Sequence, residues 1–210
     1  VEDLSLHLLD IAYNSVEAGA TRIRISLSYD AISKALMLEV CDNGCGMTAR
    51  VLAGVGDPFV TTKGRRPVGL GLPFLKHTCE QTGGSLQLDS KPGQGTTLSA
   101  TLDMSHIDAP PLGDLSGTMQ VLLVGCATVH WTADFKVKRP AGIQEYRLDS
   151  NQLTEAFEPV PLNNPVVARA LVEELRRALK ELYGGELGGF SEEIGTDPAR
   201  GPGQAEGARG

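Results

Sequence analysis

The sequence predicts an α+β fold: a mixed, mostly antiparallel sheet with helices on one face, followed by a small α+β module and a disordered tail. Three observations carry that reading. Apolar residues recur at helical spacing over 4–18 and 165–183, but alternate with polar ones over 22–29 and 35–41. Elements follow one another as α, β, β, loop, α, β, β, which favours an antiparallel-rich sheet packed against helices. Glycine is abundant, 25 of 210 residues, yet gathered: eleven lie between Gly44 and Gly95 and nine from Gly184 onward. Apolar and charged residues, at 41% and 21%, are otherwise those of a globular chain with a core.

The first helix covers 4–18. Leu4, Leu8, Ile11, Ala12, Ser15 and Val16 share one face, and Gly19 supplies the stop. A hairpin of two half-buried strands follows. Ile23, Ile25, Leu27 and Tyr29 alternate with Arg24, Ser26 and Ser28, then Leu36, Leu38 and Val40 alternate with Met37 and Glu39. After a glycine-rich stretch over 42–71, a helix over 72–82 ends at Gly83-Gly84, and strands over 85–90 and 96–102 meet at a Pro92-Gly93 turn. These elements make up a first domain, 1–105.

Residues 106–116, with Pro110, Pro111 and Gly113, read as a linker. Beyond it, 119–127, 129–138 and 143–148 are expected as three strands of a separate small sheet. A helix over 165–183 has Asn164 as N-cap, Pro165 at its first position and Gly184 as stop. Its stripe of Val167, Leu171, Leu175, Ala178, Leu179 and Leu182 should cover that small sheet, making 117–183 a docking or dimerisation module. The tail 184–210 holds only Leu187, Phe190 and Ile194 as large apolar residues and is expected to be disordered.

A net charge of -7 gives no general attraction for polyanions, so neither nucleic acid nor membrane is an expected partner. The compact basic cluster is Lys63, Arg65 and Arg66. Four cysteines without a secretory segment do not form a disulfide framework, and no window has the roughly 18–20 apolar residues of a membrane span. The start Val1-Glu2-Asp3 lacks a basic leader, so reduced thiols and a cytoplasmic location are expected.

Four segments carry candidate chemistry. Asp10 and Asn14, four apart on the first helix, share one face, and an Asn carbonyl is a hard neutral ligand suited to Mg²⁺. Asp42-Asn43-Gly44-Cys45-Gly46-Met47 follows a strand, where glycine lets the chain turn and a ligand approach the backbone. Asp57-Pro58-Phe59-Val60-Thr61-Thr62-Lys63 lies in a polar loop. Gly69-Leu70-Gly71-Leu72 opens a helix, whose free N–H groups and dipole favour an anion.

In this order the segments resemble the N, G1, F and G2 boxes of the GHKL superfamily. That superfamily shares the Bergerat ATP-binding fold among histidine kinases, anti-sigma-factor kinases, DNA gyrase, mismatch-repair ATPases and heat-shock chaperones, and the resemblance covers residues 4–103. It implies ATP and Mg²⁺ as ligands. It gives Asp42 the adenine amino group, with Gly44 and Gly46 making room, Met47 packing on the base and Phe59 lining the pocket. Thr97 would assist Asp42 through water. Asn14 would hold the metal, Thr62 and Lys63 would meet the terminal phosphates from a lid over 55–67, and Gly69, Leu70, Gly71 and Leu72 would cradle them. Asp10 stands where family members carry Glu as general base or Asn, so the acid is kept on a shorter side chain.

The upstream helical hairpin that presents a phosphoacceptor His is not expected, since nine residues precede Asp10, and His7 lacks the acidic neighbour of an H box. The implied activity is phosphotransfer from Mg-ATP to a residue on a separate, unidentified protein partner. The alternative is a regulatory ATP switch with slow hydrolysis or none. A homodimer is a further expected assembly.

Overall fold

A computed structural model of the protein describes residues 3–55 and 71–187. The alternating segments pair as their pattern requires. Strands β1 (Arg22–Asp30) and β2 (Ala35–Asp42) form an antiparallel hairpin, and β3 (Ser85–Lys91) and β4 (Gly95–Asp103) form another. The second hairpin joins the first through β4 against β2. The register sets Asp42 opposite Thr96, Val40 opposite Leu98, and Leu38 opposite Ala100. Because side chains alternate across a sheet, these pairs lie on one face, and Cys41 with Thr97 on the other.

One face carries all the helices. α1 (Leu4–Glu17) begins at Asp3, whose carboxylate accepts from the Leu6 N–H, and buries Leu4, Leu8, Ile11, Ala12 and Ser15. A short α2 (Ala49–Gly54) is capped by Thr48, and α3 (Gly71–Gln81) buries Leu75 and Cys79. The opposite face is polar and laced with charge pairs, among them Arg24–Glu39, Lys138–Asp30 and Arg147–Asp134.

The second half departs from expectation at three points. Residues 119–127, expected as a strand, lie largely in the helix α4 (Leu115–Gly125). Leu115, Met119, Leu122 and Leu123 are buried at helical spacing, and Asp114 caps the start by accepting from the Gly117 N–H. A continuous apolar run looks alike in a buried strand and a buried helix, and here the cap decides. Next, β5 (His130–Arg139) and β6 (Gly142–Asp149) do not form a separate sheet. β5 runs parallel to β1, giving one six-stranded sheet in the order β3-β4-β2-β1-β5-β6. Third, a helix that the sequence reading lacked, α5 (Ser150–Phe157), follows β6 under an Asp149 cap.

The helix α6 (Pro165–Tyr183) matches its expected bounds and its Asn164 cap. Leu171, Leu175, Leu179 and Leu182 join Trp131, Phe135, Leu4 and Leu8 in a single apolar cluster. Each such fully buried side chain contributes on the order of 1.5–3 kcal/mol. Part of the expected linker is also tied down: Leu112 is buried, and the Pro111 and Leu112 carbonyls accept from the Leu4 and Ser5 N–H groups. Of the expected tail, Gly184–Leu187 are described; Leu187 is buried and Glu186 pairs with Lys34 and Arg139. Residues 188–210 lie outside the described residues.

Candidate nucleotide site

The end of β2 delivers Asp42 to the helix face, where an apolar residue would continue the pattern of Leu36, Leu38 and Val40. A carboxylate that is 8% exposed must be hydrogen-bonded, and it is. Its Oδ1 accepts from the Gly44 N–H at 2.8 Å and the Thr96 N–H at 3.2 Å; its Oδ2 accepts from the Ser15 hydroxyl at 2.7 Å. A carboxylate offers about four acceptor positions, so Oδ2 retains one for an outside donor. Ser15 is the residue the motif reading overlooked. A hydroxyl inside the apolar stripe of α1 needs a buried partner, which is the signal that could have found it.

The turn after Asp42 is shaped for close approach. Gly46 has a φ of +64°, and a Cβ there would come within 2.0 Å of the Lys91 carbonyl oxygen. Gly95, with a φ of +86°, lies equally close to the Asp42 carbonyl. The Met47 N–H donates to the Ser90 hydroxyl at 2.9 Å, and that hydroxyl also meets the Gly95 carbonyl and the Thr96 hydroxyl, each at 2.9 Å. Asn43 turns away from the site: its amide oxygen accepts from the Thr21 and Arg22 N–H groups and holds the start of β1.

Thr97 is not brought to Asp42. It sits on the polar face opposite Cys41, and its hydroxyl donates to the Cys41 sulfur at 3.4 Å. Thr96 takes the place beside Asp42 instead. Two adjacent threonines look equivalent by composition, but a strand turns one to each face.

The first and last boxes also meet. Asp10 and Asn14 are on one side of α1, with the Asn14 Nδ2 3.3 Å from the Asp10 Oδ2 and donating to it. Asp10 lies against the start of α3, where a Cβ added to Gly71 would fall 1.9 Å from its Oδ2. Leu72, next in that helix, packs on the core. Asp10, Asn14 and Ser15 thus run along α1 from Gly71 to Asp42. Hard oxygen atoms on the half-exposed Asn14 and exposed Asp10 suit a Mg²⁺ ion. Phe59, Thr62, Lys63, Gly69 and Leu70, and the lid assigned to 55–67 beyond Val55, lie outside the described residues.

Among the described residues, no cluster of His, Cys, Asp and Glu forms a metal centre, and no helix is long and apolar enough to cross a membrane. Cys41, Cys45, Cys79 and Cys126 are free cysteines. Burial pushes the Cys79 thiol up to about 11, which makes it inert, whereas Cys45 in the glycine turn is exposed.

The family model described as histidine kinase-, DNA gyrase B- and HSP90-like ATPase matches residues 2–106. Sporulation kinase D of Bacillus subtilis is 33% identical over 98 residues, which are 47% of this chain and 19% of that protein. The sensor protein kinase FleS of Pseudomonas aeruginosa is 40% identical over 105 residues, 50% of this chain and 25% of that one. The chain therefore spans only 19% to 25% of the length of these two relatives. Among solved structures, the N-terminal domain of a DNA repair protein aligns over 71% of this chain and 53% of its own, at a TM-score of 0.49 and 15% identity.

Proposed function

The chain belongs to the histidine kinase-, DNA gyrase B- and HSP90-like ATPase family, and from that premise we propose that it binds Mg-ATP and transfers the terminal phosphoryl group to a residue on a separate protein. An ATP-binding, kinase-like ATPase unit is what the family match establishes; the metal, the transfer and the acceptor are the proposal. The observation that carries it is the cradle around Asp42. A buried carboxylate with three internal donors and one open acceptor position, flanked by bare glycine backbone, fits the amino edge of adenine. Guanine offers a carbonyl at that edge and would set oxygen against oxygen.

In this reading Ser15 and the Gly44 and Thr96 N–H groups fix the carboxylate, and Thr96, in place of Thr97, organises water beside it. Gly46 admits the base and Met47 packs on it. Asn14 holds Mg²⁺, which supplies charge neutralisation at the phosphates. Asp10, set by its contact with Asn14 and Gly71, is the candidate base for the incoming nucleophile. Gly44, Phe59, Thr62, Lys63, Gly69, Leu70, Gly71 and Leu72 complete the proposed nucleotide contacts. Similarity to sporulation kinase D and FleS favours phosphotransfer over a silent switch.

The test is incubation of the 210-residue chain with γ-labelled ATP and host lysate. A labelled second protein that disappears with Asp42→Asn supports the proposal. Free phosphate alone reassigns the site to an ATPase, and bound but unconsumed ATP reassigns it to a switch.

A further inference from the structure

The six-stranded sheet ends at β6, an eight-residue edge. Its register with β5 runs from Gly142 to Asp149 without a bulge, and Ile143 to Leu148 contain no proline and no lysine, so among the described residues the edge is guarded by the charges of Glu145 and Arg147, which are of opposite sign. Among the described residues, the main chain of 142–148 is hydrogen-bonded only through β5. Gly142, Ile143, Gln144 and Glu145 are exposed, with Ile143 at 68%.

We infer that β6 pairs antiparallel with β6 of a second copy of this chain, centred on Tyr146. A two-fold axis normal to the sheet keeps side chains of both copies on their own faces, so one residue must face its own copy across the axis. Centred on Tyr146, it sets Glu145 of each copy directly opposite Arg147 of the other, on the polar face, twice. Centred on Arg147, it would oppose Glu145 and Asp149, both acidic. Centred on Leu148, it would oppose Arg147 and Asp149, but the Asp149 carboxylate is held 2.9 Å from His130 Nε2 and accepts from the Asn151 N–H as the cap of α5. Charge and the engagement of Asp149 within its own chain together leave the Tyr146 register. Glu145 and Arg147 are 43% and 63% exposed at the side chain; they lie 3.2 Å apart within one strand and also meet β5, Arg147 at 3.1 Å from Asp134 and Glu145 at 3.9 Å from Lys136, so an outward pair would share these partners. The other edge, β3, has Asp89 and Lys91 in a comparable pattern, but Pro92 and the Pro92-Gly93 turn end it at once. β6 lies three strands from Asp42 in the sheet, so dimer loss and nucleotide loss are separable readouts.

Sedimentation of the 210-residue chain tests this through charge exchange. The wild type sediments as a dimer. Glu145→Arg and Arg147→Glu each place like charges opposite one another twice and weaken it by about tenfold or more. Mixing the two single variants restores a dimer, because each strand then carries one sign throughout, and Glu145→Arg with Arg147→Glu in one chain restores it too. A monomeric wild type overturns the inference. So do single variants that dimerise unchanged, or weakened variants that stay apart when mixed.

Discussion

Ser15 and Thr96 have the same task at the scale of single residues: each presents a hydrogen-bond donor to a buried carboxylate, one through a side chain and one through the backbone. Ser15→Ala should leave Asp42 short of a partner and cost roughly 1–3 kcal/mol of stability, since hydrogen bonds to charged groups exceed the neutral average. Urea unfolding measures that cost, and an unchanged midpoint would remove Ser15 from the cradle. The two threonines provide a sharper comparison. Thr96→Val should weaken ATP binding in calorimetry, while Thr97→Val, on the far face, should leave it at the wild-type value. Equal losses would contradict the strand register as the source of their difference. The thiols differ in the same local way: iodoacetamide at pH 8 should alkylate exposed Cys45 in the native protein and reach Cys79 only after unfolding, because burial holds that thiol near 11.

The seam between β1 and β5 determines how the second half attaches, at the scale of elements. It is closed from the helix layer by Tyr183 at the end of α6. The phenol donates to the Leu27 carbonyl at 2.7 Å and accepts from the Lys136 N–H at 3.1 Å, bridging the two strands. The ring is fully buried, and burial raises its pKa, so it remains a neutral donor. Tyr183→Phe removes the donor to the Leu27 carbonyl and the acceptor of the Lys136 N–H, and should destabilise by roughly 1–3 kcal/mol, more than removal of an exposed hydroxyl. A loss under half that range would mean that water or backbone adjustment replaces the bridge. Capping told more than periodicity here. Asn164-Pro165 located α6 from sequence, whereas the Asp114 cap of α4 was present but outweighed by a run of β-compatible apolar residues.

Across the whole molecule, acid should loosen the same seam from its solvent side. Asp30 on β1 is held below its ordinary value of 3.8, first by the hydrogen bond from Lys138 on β5 and then by the Ile32 and Ser33 N–H groups. A depressed folded value means that its stabilisation is complete above the unfolded pKa and is lost as pH falls through the folded one. Melting temperature followed from pH 6 down to pH 2 should therefore fall, and Asp30→Asn should give a shallower acid limb from a lower plateau. Identical slopes would show that other carboxylates dominate. The pair is exposed, so the difference should be modest.

Much of the site was legible in sequence because its chemistry is local. Asp42 with Gly44 and Gly46, and Asp10 with Asn14, lie within single turns or one helix turn, and their spacing is set by backbone geometry alone. The strands and the two longer helices of the first half were legible for the same reason, through periods of 2 and 3.6, whereas the short α2 lay in a stretch read as a glycine-rich loop and buries no residue. What required the tertiary structure was non-local: Ser15 meeting Asp42 from 27 residues away, Asp10 meeting Gly71, and the choice of Thr96 over Thr97. So did the placement of β5 beside β1. Parallel pairing leaves no short turn in the sequence, and only burial of Trp131, Phe135 and the α6 stripe in the common core decides it.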